Sequence, residues 1–302
     1  MILLKYTEVR LFFLLIFSTK LLLGQNPYGK DPRPLLEYAD HLAQEKDFYR
    51  AIGEYKRVLY FFPDYPKREW VLLQIGRAYY LGERYAQAKE YLIPLTESKD
   101  EKLSYLARHY LAFSFYGHGD YIPARDLFSE LWLSESSSQA VDYGIYAGMS
   151  ALRSKNFTQA REIFQRTERV CEQKEKKDFL VDAESTVNEL LQKTPPSRLW
   201  AMFWAVVFPG AGHLYLGQWD NALVVFLIVG ATGFLAYDGF RTQSYVQAGI
   251  FTTISTGFYL GSLYSAYSQS GKIRSEWGEQ EADKLEKKLR QLSFTLSYRL
   301  SY

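Results

Sequence analysis

Phe48-Tyr-Arg-Ala51-Ile-Gly-Glu-Tyr55 is the stretch that decides the fold, because its pattern recurs three more times in the chain. In each copy an aromatic residue is followed three residues later by alanine, and four residues after that by an aromatic residue or leucine. The later copies are Tyr85-Ala88-Leu92, Tyr121-Ala124-Phe128 and Phe157-Ala160-Phe164, with alanines 37, 36 and 36 residues apart. This internal spacing puts the three residues of each copy on one face of a helix.

A second pattern accompanies the first. Twelve residues before each alanine stands a small residue: Ala39, Gly76, Ala112 and Gly148. Three residues after each small residue come Leu42, Tyr79, Phe115 and Ala151. Small residues let two helices approach closely, and large ones fill the space between neighbouring pairs. The two patterns together predict four copies of one helix–turn–helix unit.

The combined pattern, small-x-x-aromatic and then aromatic-x-x-Ala-x-x-x-aromatic, resembles the tetratricopeptide repeat, whose period is about 34 residues. Pro63 stands where that repeat has its closing proline. The chain departs from the family in its longer period, in Pro94 inside the second helix of the second copy, and in Gly144 where a large residue is usual. The resemblance covers about residues 32–172 and implies a helical solenoid.

Such a solenoid curves, and the resemblance implies that the first helix of each pair lines a concave groove. The groove-facing positions would include Trp70, Arg77, Tyr80, His109, Phe113, Tyr116, Met149 and Arg153. Exposed aromatic and arginine side chains suit the capture of a peptide or a partner helix. The alternative is that several of them pack between repeats.

Composition excludes several classes of function. A chain of 302 residues is longer than one ordinary domain needs. Its net charge of +2, without a basic patch, argues against a nucleic-acid partner. The lone Cys171 rules out an internal disulfide, and the four histidines show no zinc-ligand spacing. With no catalytic constellation in view, the sequence predicts a protein that is not an enzyme and that uses no cofactor or metal.

The N-terminal residues 1–24 predict an export signal. Lys5 and Arg10 precede the apolar run Leu11–Phe17, and a positively charged start before a short apolar core is typical of such segments. The alternative is an uncleaved anchor helix. Either interpretation places the repeats outside the cytoplasm.

A charged helix and a proline linker are predicted at residues 173–198, where Pro195 and Pro196 end the repeat region. A membrane module is predicted at 199–268, with apolar runs at Leu199–Leu216, Ala222–Tyr237 and Val246–Tyr267. The first run is interrupted and the second is short, so the third is the most straightforward span. We expect three spans with the C-terminal tail in the cytoplasm, or two spans if the first run lies in the interface.

The stretch Phe208-Pro-Gly-Ala-Gly-His-Leu-Tyr-Leu-Gly217 resembles the TM2-type helix pair and related bacterial membrane modules. The residues that carry this resemblance are Pro209, Gly210, Gly212, His213, Tyr215, Gly217 and Asp238. Pro209 belongs to the motif of the related bacterial modules but departs from the TM2 pattern itself, as do Leu214 and the third apolar run. The resemblance implies embedding in membrane lipid, most simply in a bacterial inner membrane, and no chemistry. His213 and Asp238 would face each other or a partner, or lie at the headgroup level.

The third apolar run carries small residues at four-residue spacing: Gly249, Thr253, Gly257, Gly261 and Ser265. Such a stripe lets transmembrane helices pack closely, which predicts self-association. Beyond it, residues 269–302 predict an amphipathic helix with Ala282, Leu285 and Leu289 on one face. Strictly alternating apolar residues follow to the C-terminus, a pattern typical of an edge-pairing or flexible tail.

The sequence therefore predicts an all-α protein in which a tetratricopeptide-like solenoid precedes transmembrane helices. The favoured function is a membrane-anchored scaffold that binds a protein or peptide on the extracytoplasmic side. One alternative is an oligomeric component of an envelope transport or assembly machine, whose membrane helices carry the function. The other is an enzyme with an intramembrane site at His213 and Asp238.

Overall fold

The computed structural model describes residues 29–134 and 138–292, and within these ranges every regular element is helical. This confirms the prediction of an all-α fold. The export segment predicted at residues 1–24 and the alternating tail from residue 293 onward lie outside the described ranges. The chain divides into two compact units, Met1–Glu135 and Ser136–Tyr302.

The described part of the first unit consists of three helical hairpins. Its helices are α1 Arg33–Gln44, α2 Phe48–Phe61, α3 Arg68–Leu81, α4 Tyr85–Leu92, α5 Glu101–His118 and α6 Tyr121–Ser134, with a 3-10 helix at Ile93–Glu97. Helix α2 packs on α3 and α4 packs on α5, so each hairpin contacts the next. These hairpins coincide with the first three predicted copies.

The second unit contains the fourth hairpin and the apolar region. Its helices are α7 Ser138–Arg153, α8 Phe157–Val170, α9 Lys174–Gln192, α10 Arg198–Val207, α11 Ala211–Tyr215, α12 Trp219–Arg241, α13 Tyr245–Ser270 and α14 Ile273–Leu289. Helix α9 packs on α8, and α12 packs along α13. The last helix, α14, returns to pack on α7 and α9.

All four hairpins close with the same turn. The turn residue has a positive φ in each copy: Lys46 (65°), Glu83 (58°), Gly119 (90°) and Lys155 (67°). In each turn the N–H of the next residue donates to the carbonyl five residues earlier, as in the 2.9 Å bond from Asp47 to Leu42. A left-handed residue after a helix is a common way to satisfy its last carbonyls. The repeat seen in the sequence is therefore also a repeat of backbone conformation.

The small residues of the second pattern lie against large ones, as the sequence predicts. A Cβ built on Gly76 would lie 2.7 Å from the Leu92 side chain, and one built on Gly148 would overlap the Phe164 ring. Gly144, a departure from the family, is matched by Thr167, whose side chain fills the space that a Cβ would need. Pro94, another departure, follows α4 and lies in the 3-10 helix.

A buried ion pair links α7 to α9. The Lys176 ammonium donates to the Asp142 carboxylate, and both side chains are at least 97% buried. Burying two charges is costly unless they pair closely, and removing one partner leaves the other without compensation. The fourth hairpin and the helix that follows it are thus joined by a contact that the sequence pattern does not reveal.

One helix among the described residues is long and apolar enough to cross a bilayer. This is α12, whose most apolar 18-residue window has a mean hydropathy of 1.9 and is 11% buried. The sequence favoured the third apolar run over the second, which was judged short. The structure extends the second helix past its apolar run at both ends, to 23 residues, whereas hydroxyl-bearing residues lower the hydropathy of α13.

Candidate functional site

An aromatic cluster lies on α3 and α5 of the first unit. The Tyr80 ring lies 5.8 Å from that of Tyr110 and 6.2 Å from that of Phe113, measured between ring centroids. The Phe113 ring contacts Phe128 edge-on at 4.8 Å. Burial raises the pKa of Tyr80 to about 12, so its hydroxyl stays protonated as a hydrogen-bond donor over the whole physiological range. The sequence-predicted residues Tyr80 and Phe113 are thus brought together.

Arg77 lies beside this cluster and forms no ion pair among the described residues. Its guanidinium carbon is 6.0 Å from the centre of the Tyr110 ring, and its Nη1 donates to Gln74 Oε1 at 3.3 Å. Arg77 Nε and Gln74 Nε2 are buried donors without a hydrogen-bond partner in the described structure. Buried donors are normally satisfied. This part of α3 therefore has a surplus of hydrogen-bond donors and one uncompensated positive charge.

Trp70 and Tyr116 flank the cluster and remain partly exposed. The Trp70 indole N–H donates to Asp100 at 3.1 Å, and the Lys102 ammonium lies 5.7 Å from the centre of its ring. The Tyr116 ring contacts Tyr121 edge-on, with centroids 5.6 Å apart. Both are rigid aromatic side chains with accessible surface, which is the type that anchors partners at interfaces.

Three of the predicted groove residues are buried: His109, Phe113 and Met149. For these three the prediction of an exposed groove position is wrong, because a side chain that water does not reach is closed to a partner as well. Burial lowers the pKa of His109 to about 4, so it is neutral at physiological pH. His109 and Phe113 instead form an internal ring contact at 5.1 Å. For these residues the alternative interpretation holds, in which they pack inside the helical repeats.

Arg153, the last predicted groove residue, is engaged by the chain itself. Its guanidinium donates to Asp283 at 2.6 Å and lies 3.8 Å from Glu286, both on α14. Lys155, next to Arg153, forms a second ion pair with Glu279 of α14 at 3.1 Å. The basic end of α7 is thus matched by an acidic face of α14.

Apolar packing reinforces these ion pairs. The predicted apolar face of α14 is buried at Ala282, Leu285 and Leu289, in agreement with the sequence. A Cβ on Gly278 would lie 2.7 Å from the Phe157 ring, so the helix rests directly on α8's first residue. The Arg274 guanidinium donates to the Leu191 carbonyl at the end of α9, at 3.3 Å. The sequence did not predict that α14 packs on α7 and α9.

The glycines of the TM2-like motif interrupt the helical structure between α10 and α12, and they allow close packing there. Gly210 has a φ of 87°, and a Cβ on it would overlap the Ala222 carbonyl oxygen. A Cβ on Gly212 would lie 2.6 Å from the Ala201 carbonyl oxygen. Gly217, with a φ of 77°, forms the turn into α12. Of the motif's other members, Pro209 precedes this break, and the Tyr215 hydroxyl accepts from the Ser197 N–H at 3.3 Å.

His213 and Asp238 do not meet. His213 is 2% exposed, and its Nδ1 lies 3.2 Å from Gln218 Oε1, immediately before α12. Asp238 lies near the other end of α12, about 28 Å from the first residue of that helix at 1.5 Å per residue. The hypothesis that these two residues face each other within the chain is therefore wrong.

The small-residue stripe of α13 faces open space. A Cβ built on Gly249, Gly257 or Gly261 would meet nothing within 4 Å. Thr253 is exposed and Ser265 is half-buried. Within the described chain the stripe is therefore not used to pack α13 on α12. Surrounding aromatic residues are also exposed, including Trp219 at 72% and Tyr264 at 74%.

No protein-family model matches this chain, and no curated protein matches it. Among the described residues, no group of three or more histidine, cysteine, aspartate or glutamate side chains is placed to hold a metal ion.

Proposed function

We propose that the protein is a membrane-anchored scaffold of tetratricopeptide type, and that α3 and α5 of its first unit bind a protein or peptide partner. The observation that carries this proposal is Arg77, a partly buried cation without a carboxylate partner in the described residues, beside a cluster of tyrosines. An unpaired charge at such a site is costly. A ligand that supplies a carboxylate or carbonyl would remove that cost.

The groove chemistry defines the partner. Arg77 and the Tyr80 hydroxyl are donors, so the partner presents an acceptor between them, most effectively a carboxylate. Trp70 and Tyr116 are partly exposed rings on the same two helices, and such rings suit apolar or aromatic residues of the partner. We therefore expect a short acidic segment that also carries large apolar side chains.

Photo-crosslinking in intact cells tests this site. A photoreactive residue at Tyr116 is expected to crosslink to a distinct protein, whereas one at Tyr60, 79% exposed on α2, is not. Arg77→Gln is expected to reduce the Tyr116 crosslink about tenfold or more, because a hydrogen bond to a charged group contributes about 1.5–3 kcal/mol. Arg84→Gln, at an exposed arginine of the first unit, is the matched control. Equal crosslinking at Tyr60 and Tyr116, or self-crosslinking alone, would contradict the proposal.

The docking of α14 supports a proposal for the membrane topology. No helix of the described residues between Arg33 and Gln192 is long and apolar enough to cross a bilayer, so α7 and α9 stay on one side of it. Because α14 packs on both, it lies on that same side, and the chain between them crosses an even number of times. Two crossings fit this requirement: α12, the described helix that is apolar enough to cross by composition, and the less apolar but 26-residue α13 beside it. The ten-residue α10 is too short to cross. Of the two or three spans that the sequence predicts, we therefore propose two.

The shared side is proposed to be the extracytoplasmic one. Residues 1–24 have the pattern of an export segment, and the first such segment usually sets the orientation of a chain. Lys272 and Arg274 beside α13 would favour the opposite orientation by the positive-inside rule. Labelling of single cysteines distinguishes the two orientations. The cysteines replace Gln243, between α12 and α13, and Lys287 on α14, in a Cys171→Ser background.

An impermeant thiol reagent added to intact inner-membrane spheroplasts is expected to label the cysteine at position 287 and not the one at 243. Labelling of 243 alone would place the repeats in the cytoplasm and overturn the proposed side. Labelling of both, or of neither before the membrane is opened, would contradict two crossings.

The alternative function, an oligomeric component of a transport or assembly machine, is favoured by one observation: the glycine stripe of α13 is open. If the membrane helices associate through it, Gly249→Leu should abolish self-association of the full chain in detergent. Self-association that is indifferent to this substitution, or that is absent from the parent protein, would leave the scaffold as the function.

A further inference from the structure

A cleft of about 570 Å³ lies between α12 and α13 of the second unit. Its walls are apolar, with Val224 and Ile228 on α12 and Ile254 and Phe258 on α13. Gly257 forms part of its floor, where the missing side chain leaves the space open. None of the described residues that line it carries a formal charge. We propose that this cleft binds one acyl chain of a neutral, hydroxyl-bearing lipid of the monoacylglycerol class.

The dimensions of the cleft suit a hydrocarbon chain. The cleft follows α13 from Thr253 to Gln269, about 24 Å at 1.5 Å per residue. Its volume then corresponds to a mean cross-section of roughly 24 Å², and the whole space between the walls, about 1050 Å³ with the open mouth included, to roughly 44 Å². A groove of this length and section accommodates one extended acyl chain.

The cleft is polar at one end only. His213, Asn221 and Gln269 all line it. Asn221 lies in the first turn of α12 and Gln269 in the last turn of α13, so both belong to the end of the helix pair from which α14 departs. A Cβ on Gly212 would lie 3.0 Å from Ala266, which places α11 and its His213 at this same end. A chain in the apolar part would have its head here.

One buried acceptor atom at the polar end has no hydrogen-bond partner among the described residues, and a histidine ring lies beside it. Gln269 Oε1 is buried and unpaired, while Gln269 Nε2 donates to Ser265. The buried His213 contacts Gln218 Oε1 through Nδ1. Asn221 Nδ2 also donates to that oxygen, at 3.3 Å. The tautomer of His213 with its proton on Nδ1 fits this contact and leaves Nε2 as a second acceptor.

These acceptors define the headgroup. A ligand that satisfies them must donate hydrogen bonds, as the hydroxyls of a glycerol head do. A carboxylate has no donor and would face two lone pairs, so the anion of a fatty acid is expected to bind less well. The inference rests on the proposed membrane placement, because α12 and α13 then open this cleft to lipid.

Photolabelling tests the inference with the full-length protein reconstituted in phosphatidylcholine vesicles. The probe is a monoacylglycerol with a photoactivatable diazirine in its acyl chain. Labelled peptides are expected from α12 and α13, and unlabelled monoacylglycerol is expected to compete at least tenfold better than the fatty-acid anion of equal chain length. Competition of equal strength would overturn the assignment of the headgroup.

Two matched glycine variants locate the site. Gly257→Leu fills the cleft and is expected to reduce labelling at least tenfold, while Gly249→Leu, at an equally open glycine outside the cleft, leaves it unchanged. Gln269→Met removes one acceptor and is expected to weaken binding about fivefold, the effect of one hydrogen bond. Equal labelling of both glycine variants would overturn the proposal.

The remaining outcomes separate this inference from the membrane placement on which it rests. If the protein is released from membranes by alkaline carbonate, the placement itself is wrong. If it is retained but not labelled, only the lipid site is wrong. If it is not labelled and Gly257→Leu abolishes self-association, the cleft is a helix–helix interface.

Discussion

The third and fourth hairpins are built on one local plan and end in different states. Both close with the same left-handed turn, at Gly119 and Lys155, and both bury the alanine of the repeated motif. The third hairpin, with α3 beside it, keeps an uncompensated Arg77 and partly exposed aromatic rings. The fourth has Arg153 and Lys155 neutralised by α14. Local sequence sets the hairpin, and a distant helix decides whether its face is available.

The largest difference between the two hairpins should come from their acidic residues. Asp142→Ala leaves the buried Lys176 unpaired and should lower the stability of the fourth hairpin by about 3–5 kcal/mol. The matched change in the third hairpin, Glu130→Ala, removes a more exposed partner of Arg108 and should cost at most about 1 kcal/mol. Hydrogen exchange of the α7 and α6 amides in urea measures both. Similar losses would contradict the distinction.

Detaching α14 should expose the face of the fourth hairpin that α14 covers, as the corresponding face of the third hairpin is exposed. Leu285 is 1% exposed, and Leu285→Ala should cost about 2–5 kcal/mol, the usual range for a buried leucine. Proteolysis within 273–289 should then become faster, and α7 should exchange its amides faster as well. Leu81→Ala, at a leucine 41% exposed in the first unit, is the control and should change neither. An unchanged proteolysis rate would mean that α14 is not held by this face.

Acid should weaken the first unit selectively, because its His109 resists protonation. With a pKa of about 4 when folded and about 6.5 when unfolded, His109 binds its proton in the unfolded chain first. Stability is therefore lost as pH falls from about 6.5 to 4, by on the order of 3 kcal/mol at 1.36 kcal/mol per pH unit.

The fourth hairpin contains no histidine, so its amides serve as the internal control. His109→Phe should flatten the pH dependence of α5 exchange over that range. A pH dependence of equal size in both hairpins, or one that survives His109→Phe, would show that another group is responsible.

The smallest effect concerns the shared turn. Lys155→Gly should relieve the strain of a positive φ by about 1 kcal/mol, less the smaller contribution of the exposed ion pair with Glu279 that it removes, and Gly119→Ala should destabilise the third hairpin by about 1 kcal/mol. Thermal unfolding followed by site-specific exchange measures both signs. Two changes of the same sign would show that the turns differ.

The sequence predicted the features that depend on neighbours along the chain. Spacing within the motif placed Ala51, Ala88, Ala124 and Ala160 in the core, and periodicity placed Leu285 on the buried face of α14. It did not predict the Lys176–Asp142 pair or the Arg153–Asp283 pair, whose members are 34 and 130 residues apart. Neither periodicity nor propensity specifies which carboxylate meets which ammonium. For the same reason, the burial of His109, Phe113 and Met149 was missed.

Crosslinking α14 to the fourth hairpin in native membranes tests the central claim most directly. Lys155→Cys and Glu279→Cys replace an ion pair whose charged atoms are 3.1 Å apart. In a Cys171→Ser background, a short bismaleimide should join them within one chain, and Leu285→Asp should abolish the product. A single chain that stays uncrosslinked, although each cysteine reacts alone, would show that α14 does not cover the hairpin and would remove the argument for two crossings.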